Sequence, residues 1–175
     1  MFHRYANNQS EEEFRSSVLK VRKTFNQKIN GSKRFSFYYT NGYTHDELPV
    51  ITQENPDDIT WMHWGVVPNS LKRDAQKEEH LKMSCSLFER SEAVNSSWIT
   101  KDSVETKRCL IPATGFFIWH QVKQWKFISN EERNEKFNYY VQMLNINYGD
   151  DPMSFCFPGV YNKWIDQETA QIFEG

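Results

Sequence analysis

KRCLIPATGFFIW, residues 107–119, is the stretch of the chain that decides the fold. Its apolar and aromatic side chains form two runs, one before and one after Thr114 and Gly115. Short runs rich in branched and aromatic side chains are typical of strands, and a glycine between them marks a turn or a break. The stretch therefore predicts two consecutive strands joined around Thr114-Gly115.

Further β-prone segments lie on both sides of this stretch. They are RFSFYYTNGY (34–43), LPVIT (48–52), DITWMHWGVVP (58–68), KFNYYVQML (136–144) and MSFCFPGVYNKWID (153–166). Asn-Gly pairs and prolines near these segments are turn signals. Strands with so few helical segments between them favour an α+β fold around a strongly curved sheet over a doubly wound one.

Two segments carry helix signals. The run from Ser10 to Glu13 matches the capping-box pattern, and apolar side chains follow at helical spacing up to Phe25. One amphipathic helix is therefore predicted from about Ser10 to Phe25. The polar run KRDAQKEEHLK (72–82) contains good helix formers, and its polarity is typical of a solvated helix or a loop.

Length and composition limit the classes of protein that the chain can form. It has 175 residues, which is the size of one domain with a substantial core. Its 21 basic and 23 acidic residues nearly cancel, so binding to an anionic partner needs a local basic patch. Aromatic residues make up 15% of the chain, which excludes a disordered polypeptide. We expect a single domain over residues 1–175.

Several functional classes lack their usual signals. The three cysteines are odd in number without CxxC spacing, so no disulfide framework or zinc site is predicted, and Cys109 is predicted to be a buried, inert thiol. No apolar run is long enough to cross a bilayer. The histidines show no metal spacing, and phosphate-loop, dinucleotide and hydrolase motifs are missing. We therefore expect a cytoplasmic protein with no cofactor, no metal and no membrane partner.

Four segments follow one another in an order that is typical of a known family. They are MFHRYA (1–6), WMHWGVVP (61–68), FERSEA (88–93) and KRCLIPATGFFIW (107–119). In this order they resemble the SOS-response-associated peptidase (SRAP) family, whose last motif reads Arg-Cys-Leu-x-Pro-Ala-x-Gly-Phe-aromatic-Glu-Trp. The resemblance implies an α+β domain on a strongly curved, barrel-like mixed or antiparallel sheet with a few flanking helices. The family's C-terminal portion is expected to be missing.

The same resemblance implies a sensor of abasic sites in single-stranded DNA, within the DNA damage or SOS response. In the family, removal of Met1 exposes a cysteine, which closes a thiazolidine with the ring-opened sugar and crosslinks the protein to DNA. An asparagine holds the aldehyde, a glutamate manages protons, and a histidine assists ring opening. Peptidase activity is not predicted, because no arrangement of serine or cysteine with histidine in this sequence supports it.

The chain departs from the family at each of these positions. Phe2 stands in the place of the cysteine, Phe88 in that of the asparagine and Ile118 in that of the glutamate. The sequence ends at Gly175 before the segment that carries the histidine. No catalytic residue is therefore intact, and a catalytically degenerate member, a pseudoenzyme, is predicted. The three apolar side chains could also pack together and fill the space of a polar pocket.

Residues that could hold DNA are retained. Arg4 and Arg90 stand where the family uses arginines against backbone phosphates, and Trp64 and Trp119 lie in the matching strands as surfaces for unpaired bases. Each assignment has a structural alternative. For the tryptophans it is core packing, and for the arginines it is a salt bridge, with Glu92 as a partner for Arg90.

The sequence leaves the oligomeric state and three functions open. A degenerate member binds single-stranded or damaged DNA without crosslinking it, whereas an active member forms the crosslink despite the recorded sequence. An interaction module on the same fold binds a protein instead of DNA. Salt-dependent binding to single-stranded DNA, a covalent adduct with abasic DNA, or an exposed aromatic patch without positive potential would distinguish the three.

Overall fold

The computed structural model describes residues 4–16, 35–126, 131–145 and 151–175 of the chain. Within these ranges the chain forms eleven β-strands and two α-helices. The strands are β1 (Arg4–Asn7), β2 (Phe37–Asn41), β3 (Glu47–Thr52), β4 (Thr60–His63), β5 (Arg108–Ala113), β6 (Gly115–Lys126), β7 (Glu131–Asn145), β8 (Asp151–Met153), β9 (Phe155–Val160), β10 (Lys163–Ile165) and β11 (Ile172–Glu174). The helices are α1 (Glu11–Phe14) and α2 (Asp74–Leu81), with short 3₁₀ turns at Gly42–Thr44 and Ser84–Ser86.

The described strands form three antiparallel sheets. One sheet has five strands in the order β2-β1-β6-β7-β8, a second has four in the order β4-β3-β5-β9, and β10 pairs with β11. The predicted α+β class with antiparallel sheets is confirmed. The predicted barrel-like closure is wrong, because in the described part of the chain each of the two larger sheets ends in an edge strand on both sides.

The two strands predicted from residues 107–119 are present as β5 and β6, and the break between them falls at Thr114. β5 pairs with β9 from Arg108↔Val160 to Ala113↔Phe155, whereas β6 pairs with β1 and β7. At the break, the backbone N–H of Thr114 donates a hydrogen bond of 2.9 Å to the carbonyl of Ala6. The stretch therefore carries the chain from one sheet into the other.

An aromatic cluster fills the core beneath the five-stranded sheet. Tyr5, only 2% exposed, lies at its centre. The rings of Phe37, Trp64 and Phe157 contact it edge-on, with centroids 5.2, 5.4 and 5.9 Å away. Each pair of this kind adds about 0.5–1.5 kcal/mol to the burial itself. Tyr5 thereby ties β1 to β2, to the segment after β4, and to β9.

The amino-terminal helix begins as predicted. The hydroxyl of Ser10 accepts a hydrogen bond from the backbone N–H of Glu13, and the N–H of Ser10 donates to the carboxylate of Glu13. Phe14 follows fully buried, with its ring 5.7 Å from that of Phe35. Residues 17–34 lie outside the described ranges, and so does the predicted continuation of this helix to Phe25.

The polar run at residues 72–82 contains a helix, so the helix alternative is confirmed. α2 buries Leu81 against Val67 and Trp164. At its start, the carboxylate of Asp166 accepts a hydrogen bond of 2.6 Å from the N–H of Asp74. Hydrogen bonds from the backbone of Thr169, Glu168 and Asp74 hold the pKa of Asp166 below its usual value. Of the described helices, none has the length and hydrophobicity needed to span a membrane.

Candidate functional site

The four motif segments of the sequence meet around β1. Tyr5 of β1 pairs with Phe116 of β6, and its ring lies 5.4 Å from that of Trp64. The indole N–H of Trp64 donates a hydrogen bond of 2.9 Å to the carbonyl of Leu87, which directly precedes Phe88. Long-range contacts therefore bring the amino-terminal arm, the WMHWGVVP strand, the FERSEA segment and β6 to one place.

Trp64 is positioned as a core residue. It packs with Tyr5, Leu48 and Ala113, and its N–H is already used by Leu87. On the other side of its backbone, one ring nitrogen of His45 lies 2.6 Å from the Trp64 carbonyl oxygen, and the second lies 2.9 Å from that of Leu81. The structure thus places Trp64 in the core, which is the structural alternative given for it above. It lies beneath the site and is held by hydrogen bonds.

Arg4 and Trp119 are brought together on the opposite face of the same sheet. The guanidinium carbon of Arg4 lies 5.6 Å from the ring centroid of Trp119 and 5.9 Å from that of Tyr39. Both rings are half exposed, at 52% and 50%. Cation–π contacts of this kind contribute about 0.5–1 kcal/mol at exposed sites. The Nε of Arg4 is shielded from water and has no hydrogen-bond partner, which leaves a strong donor uncompensated.

The ring contacts continue along this face as a strip. Phe117 lies 5.7 Å from Tyr39 and 4.9 Å from Tyr140, centroid to centroid. We call the set of Trp119, Tyr39, Phe117 and Tyr140 the aromatic strip. Beside Trp119, an open depression of about 400 Å³ is lined also by Gln121 and Lys136. The strip therefore combines exposed rings with cationic and amide side chains.

Gly115 leaves room on the sheet for Tyr140, the last ring of the aromatic strip. A Cβ at this position would come within 2.4–2.5 Å of the Tyr140 ring, so only glycine leaves room for it. The hydroxyl of Tyr140 also lies 3.5 Å from that of Thr114 and accepts a 3.4 Å hydrogen bond from Gln142. Local geometry at the break between β5 and β6 therefore sets the position of a ring that β7 contributes.

Three members of the strip were not among the sequence-predicted site residues: Tyr39, Phe117 and Tyr140. The alternation of Phe117 and Trp119 along β6 is a signal that places both side chains on one face of a strand. The register of β6 with β7, which pairs Phe117 with Tyr140, is not readable from the sequence. The register of β1 with β2, which pairs Arg4 with Asn41, is likewise not readable from the sequence.

Arg90 lies apart from the strip. Its side chain is exposed, and its backbone N–H donates a hydrogen bond of 2.9 Å to the carboxylate of Glu89. That hydrogen bond, with another from the Ser97 hydroxyl, lowers the pKa of Glu89. Among the residues that the structure describes, Arg90 forms no ion pair with Glu92. The salt bridge given as the structural alternative for Arg90 is therefore not observed.

Phe88 and Ile118, which the resemblance aligns with catalytic positions of the family, carry no ionisable group. Ile118 is half-buried on the sheet face opposite to Trp119, where it lines an open depression of about 560 Å³ with residues that include His120 and Tyr139. Phe88 is half-buried next to Leu87. Phe2 lies outside the described residues, so the predicted packing of Phe2, Phe88 and Ile118 stays a prediction.

Burial keeps two of the described thiols and one described histidine in their neutral forms. Burial raises the pKa of Cys109 to about 12 and that of Cys156 to about 11, so neither thiol ionises near neutral pH. The predicted buried, inert state of Cys109 is confirmed. His80 is 4% exposed, and burial lowers its pKa, which keeps it neutral against the carbonyl of Val66. In the described ranges no group of acidic, histidine or cysteine side chains is arranged to hold a metal.

Comparisons with known proteins agree with this architecture. A family model described as SOS response associated peptidase (SRAP) matches residues 1–174. A solved protein from Bacteroides thetaiotaomicron superposes with a TM-score of 0.74 and 23% identity, over 98% of this chain and 65% of that one. A protein from Bordetella bronchiseptica gives a TM-score of 0.60 and 14% identity, over 98% of this chain and 68% of that one. No curated protein matches the chain. The chain thus spans about two thirds of the length of these two structures, and at such identities the likeness concerns the fold alone.

Proposed function

Because the chain belongs to the SOS response associated peptidase (SRAP) family, we propose that it binds single-stranded DNA without forming a covalent bond to it. The observation that carries the proposal is the Arg4 guanidinium, which is stacked against the half-exposed rings of Tyr39 and Trp119. In this proposal residues 1–175 act as one domain in the cytoplasm, and SOS-type DNA damage supplies the single strands.

The chemistry of the strip matches that of an unpaired strand. Base stacking on an aromatic side chain is worth about 1–3 kcal/mol per base, and it tolerates any base because each has a π-face. Arg4 and Lys136 lie on the strip's face as cations for backbone phosphates.

The apolar family positions support non-covalent binding. An imine-forming nucleophile, a group that holds the aldehyde and a proton carrier are all needed to crosslink an abasic sugar. Phe2, Phe88 and Ile118 supply none of the three. The raised pKa values of Cys109 and Cys156 support the same conclusion, since a thiol with such a pKa is almost wholly protonated at neutral pH.

Fluorescence anisotropy with a labelled oligothymidylate tests the proposal. We expect binding in about 50 mM salt that weakens steeply as salt is raised, because released counterions drive such binding. Arg4→Ala should weaken binding by about tenfold, and Arg90→Ala by less, because Arg90 lies apart from the strip. Arg73→Ala is the matched control, since Arg73 is an exposed arginine paired with Glu168 outside the strip. A wild-type protein that binds no single-stranded DNA at low salt would contradict the proposal.

A separate experiment tests whether the chain crosslinks to abasic DNA. Incubation with abasic single-stranded DNA, followed by a denaturing gel, should show no shifted band. A stable band would mean that the chain is an active family member. Intact mass of the same sample would then identify the amino-terminal residue and the size of the adduct.

A protein-interaction module is the second candidate. Exposed apolar side chains on the face opposite to the strip favour it, namely Phe137, Tyr139, Met143 and Met153, which are 38–50% exposed. A module of this kind predicts no salt-dependent affinity for DNA. It also predicts that Tyr139→Ser abolishes the capture of its protein partner while Arg4→Ala does not.

A further inference from the structure

Resting on the proposed binding of single-stranded DNA, the geometry of the aromatic strip points to a specificity opposite to an abasic-site sensor. We infer that this chain prefers strands that carry all their bases. The bases stack on Trp119, Tyr39 and Tyr140, and an abasic position forfeits one of these contacts.

The first support is the continuity of the strip. Successive ring contacts run from Tyr39 to Phe117 at 5.7 Å and from Phe117 to Tyr140 at 4.9 Å, while Arg4 joins Tyr39 to Trp119. The rings come from β2, β6 and β7, and Arg4 lies on β1, the strand between β2 and β6. A strand laid across them meets several rings in succession, as in other stacking platforms for single strands.

The second support is that the rings are held while much of their surface stays open. Tyr39, Trp119 and Tyr140 are 50%, 52% and 39% exposed. Tyr140 lies over the bare backbone of Gly115, and Phe117 contacts both Tyr39 and Tyr140 from within the sheet. Rings fixed in this way lose little freedom when a base stacks on them, which favours binding.

The third support is the set of polar groups beside the strip. Arg4, Lys136 and Gln121 can contact phosphates and base edges. Recognition of an abasic sugar instead needs groups for its aldehyde and hydroxyl oxygens at the family's catalytic positions, where Phe88 and Ile118 stand. The chain therefore has groups that bind a base and lacks groups that would compensate for a missing one.

The test compares three strands of equal length, each about twelve nucleotides, which is within the range of known site sizes. One is oligothymidylate, one has a single central tetrahydrofuran abasic analogue, and one has the analogue at every position. The analogue has no aldehyde, so covalent chemistry cannot contribute. We expect the singly substituted strand to bind about threefold to tenfold more weakly than oligothymidylate, and the fully abasic strand at least about 30-fold more weakly.

Substitutions in the aromatic strip test whether its rings cause the preference for the intact strand. Trp119→Leu and Tyr39→Leu keep apolar bulk but remove a ring, so the preference for the intact strand should shrink toward one. Tyr139→Leu is the matched control, because Tyr139 is an exposed tyrosine on the opposite face, paired with Ile118. Circular dichroism confirms that each variant is folded. Quenching of tryptophan fluorescence by oligothymidylate, lost in Trp119→Leu, gives a second measurement.

The outcomes separate this inference from the proposed function. If no strand binds, both fail. If all three strands bind equally, or an abasic strand binds more tightly, DNA binding stands and the preference for bases is wrong. If Tyr139→Leu reduces the preference as much as Trp119→Leu does, the assignment of the preference to the aromatic strip is wrong.

Discussion

The two faces of the five-stranded sheet are built from the same short strands, yet they have opposite properties. On one face Tyr5 of β1 is buried among Phe37, Trp64 and Phe157. On the other face its neighbour Arg4 lies against the half-exposed rings of Tyr39 and Trp119. Alternation of side chains along a strand separates the two sets. Around β1, aromatic side chains thus stabilise the fold on one face, and on the other they remain available to a ligand.

The largest effect should come from the buried face. Tyr5→Ala removes a ring at the centre of the core, and we expect a loss of about 3–5 kcal/mol in the free energy of unfolding. Trp119→Ala on the exposed face should cost less than about 1 kcal/mol. Urea denaturation of the two variants measures the difference. Similar losses for both would contradict the division of roles between the faces.

Tyr5→Phe sharpens this result. The buried hydroxyl of Tyr5 has no hydrogen-bond partner, and burial raises the pKa of the phenol far above its usual value. Removing an unpaired buried hydroxyl should therefore be neutral or slightly stabilising. A marked loss of stability would show that the hydroxyl has a partner in solution.

A smaller loss of stability is expected at Gly115, next to the break between β5 and β6. Gly115→Ala places a methyl group against the Tyr140 ring and should cost about 1–3 kcal/mol through overpacking. It should also weaken DNA binding, because the ring at the end of the strip is displaced. In the background of Tyr140→Ala the same substitution should cost much less, and a double-mutant cycle in urea measures this coupling.

The shape of the Arg4 side chain can be separated from its charge. Arg4→Lys keeps the cation but lacks the planar group that stacks on Tyr39 and Trp119. We expect a few-fold weaker binding with an unchanged dependence on salt. Arg4→Ala should reduce the slope of log affinity against log salt by about 0.7, the value for one phosphate contact with a single strand. Equal slopes for wild type and Arg4→Ala would remove the phosphate contact from the proposal.

The smallest effect should be a loss of stability at low pH. It originates at His80 of α2, away from both faces of this sheet. Burial lowers the pKa of His80 from its usual value of 6.5, so the unfolded chain binds the proton more readily than the folded one. This contribution is complete above pH 6.5 and is lost as the pH falls below it. The urea midpoint should drop between about pH 7 and about pH 5. The drop should be smaller in His80→Gln.

Features that neighbouring residues decide could be predicted from the sequence. The capping box at Ser10 and the two strands around Thr114 depend on local backbone chemistry, and both are present. Features that depend on the meeting of distant segments could be predicted only in part. Trp64 and Trp119 look alike as tryptophans in strands, but only Trp119 lies on the exposed face with Arg4. Pairing of the strands decides this, and pairing depends on long-range packing that no single segment contains.

By itself the sequence determined the family motifs and the β-rich α+β class. These follow from residue identity and from patterns a few residues long. Tertiary structure alone decided that the sheets stay open, that Trp64 belongs to the core, and that Tyr39, Phe117 and Tyr140 join Trp119 in a strip. The physical reason is register, because a shift of one residue between β6 and β7 would turn Tyr140 to the opposite face and end the strip at Phe117.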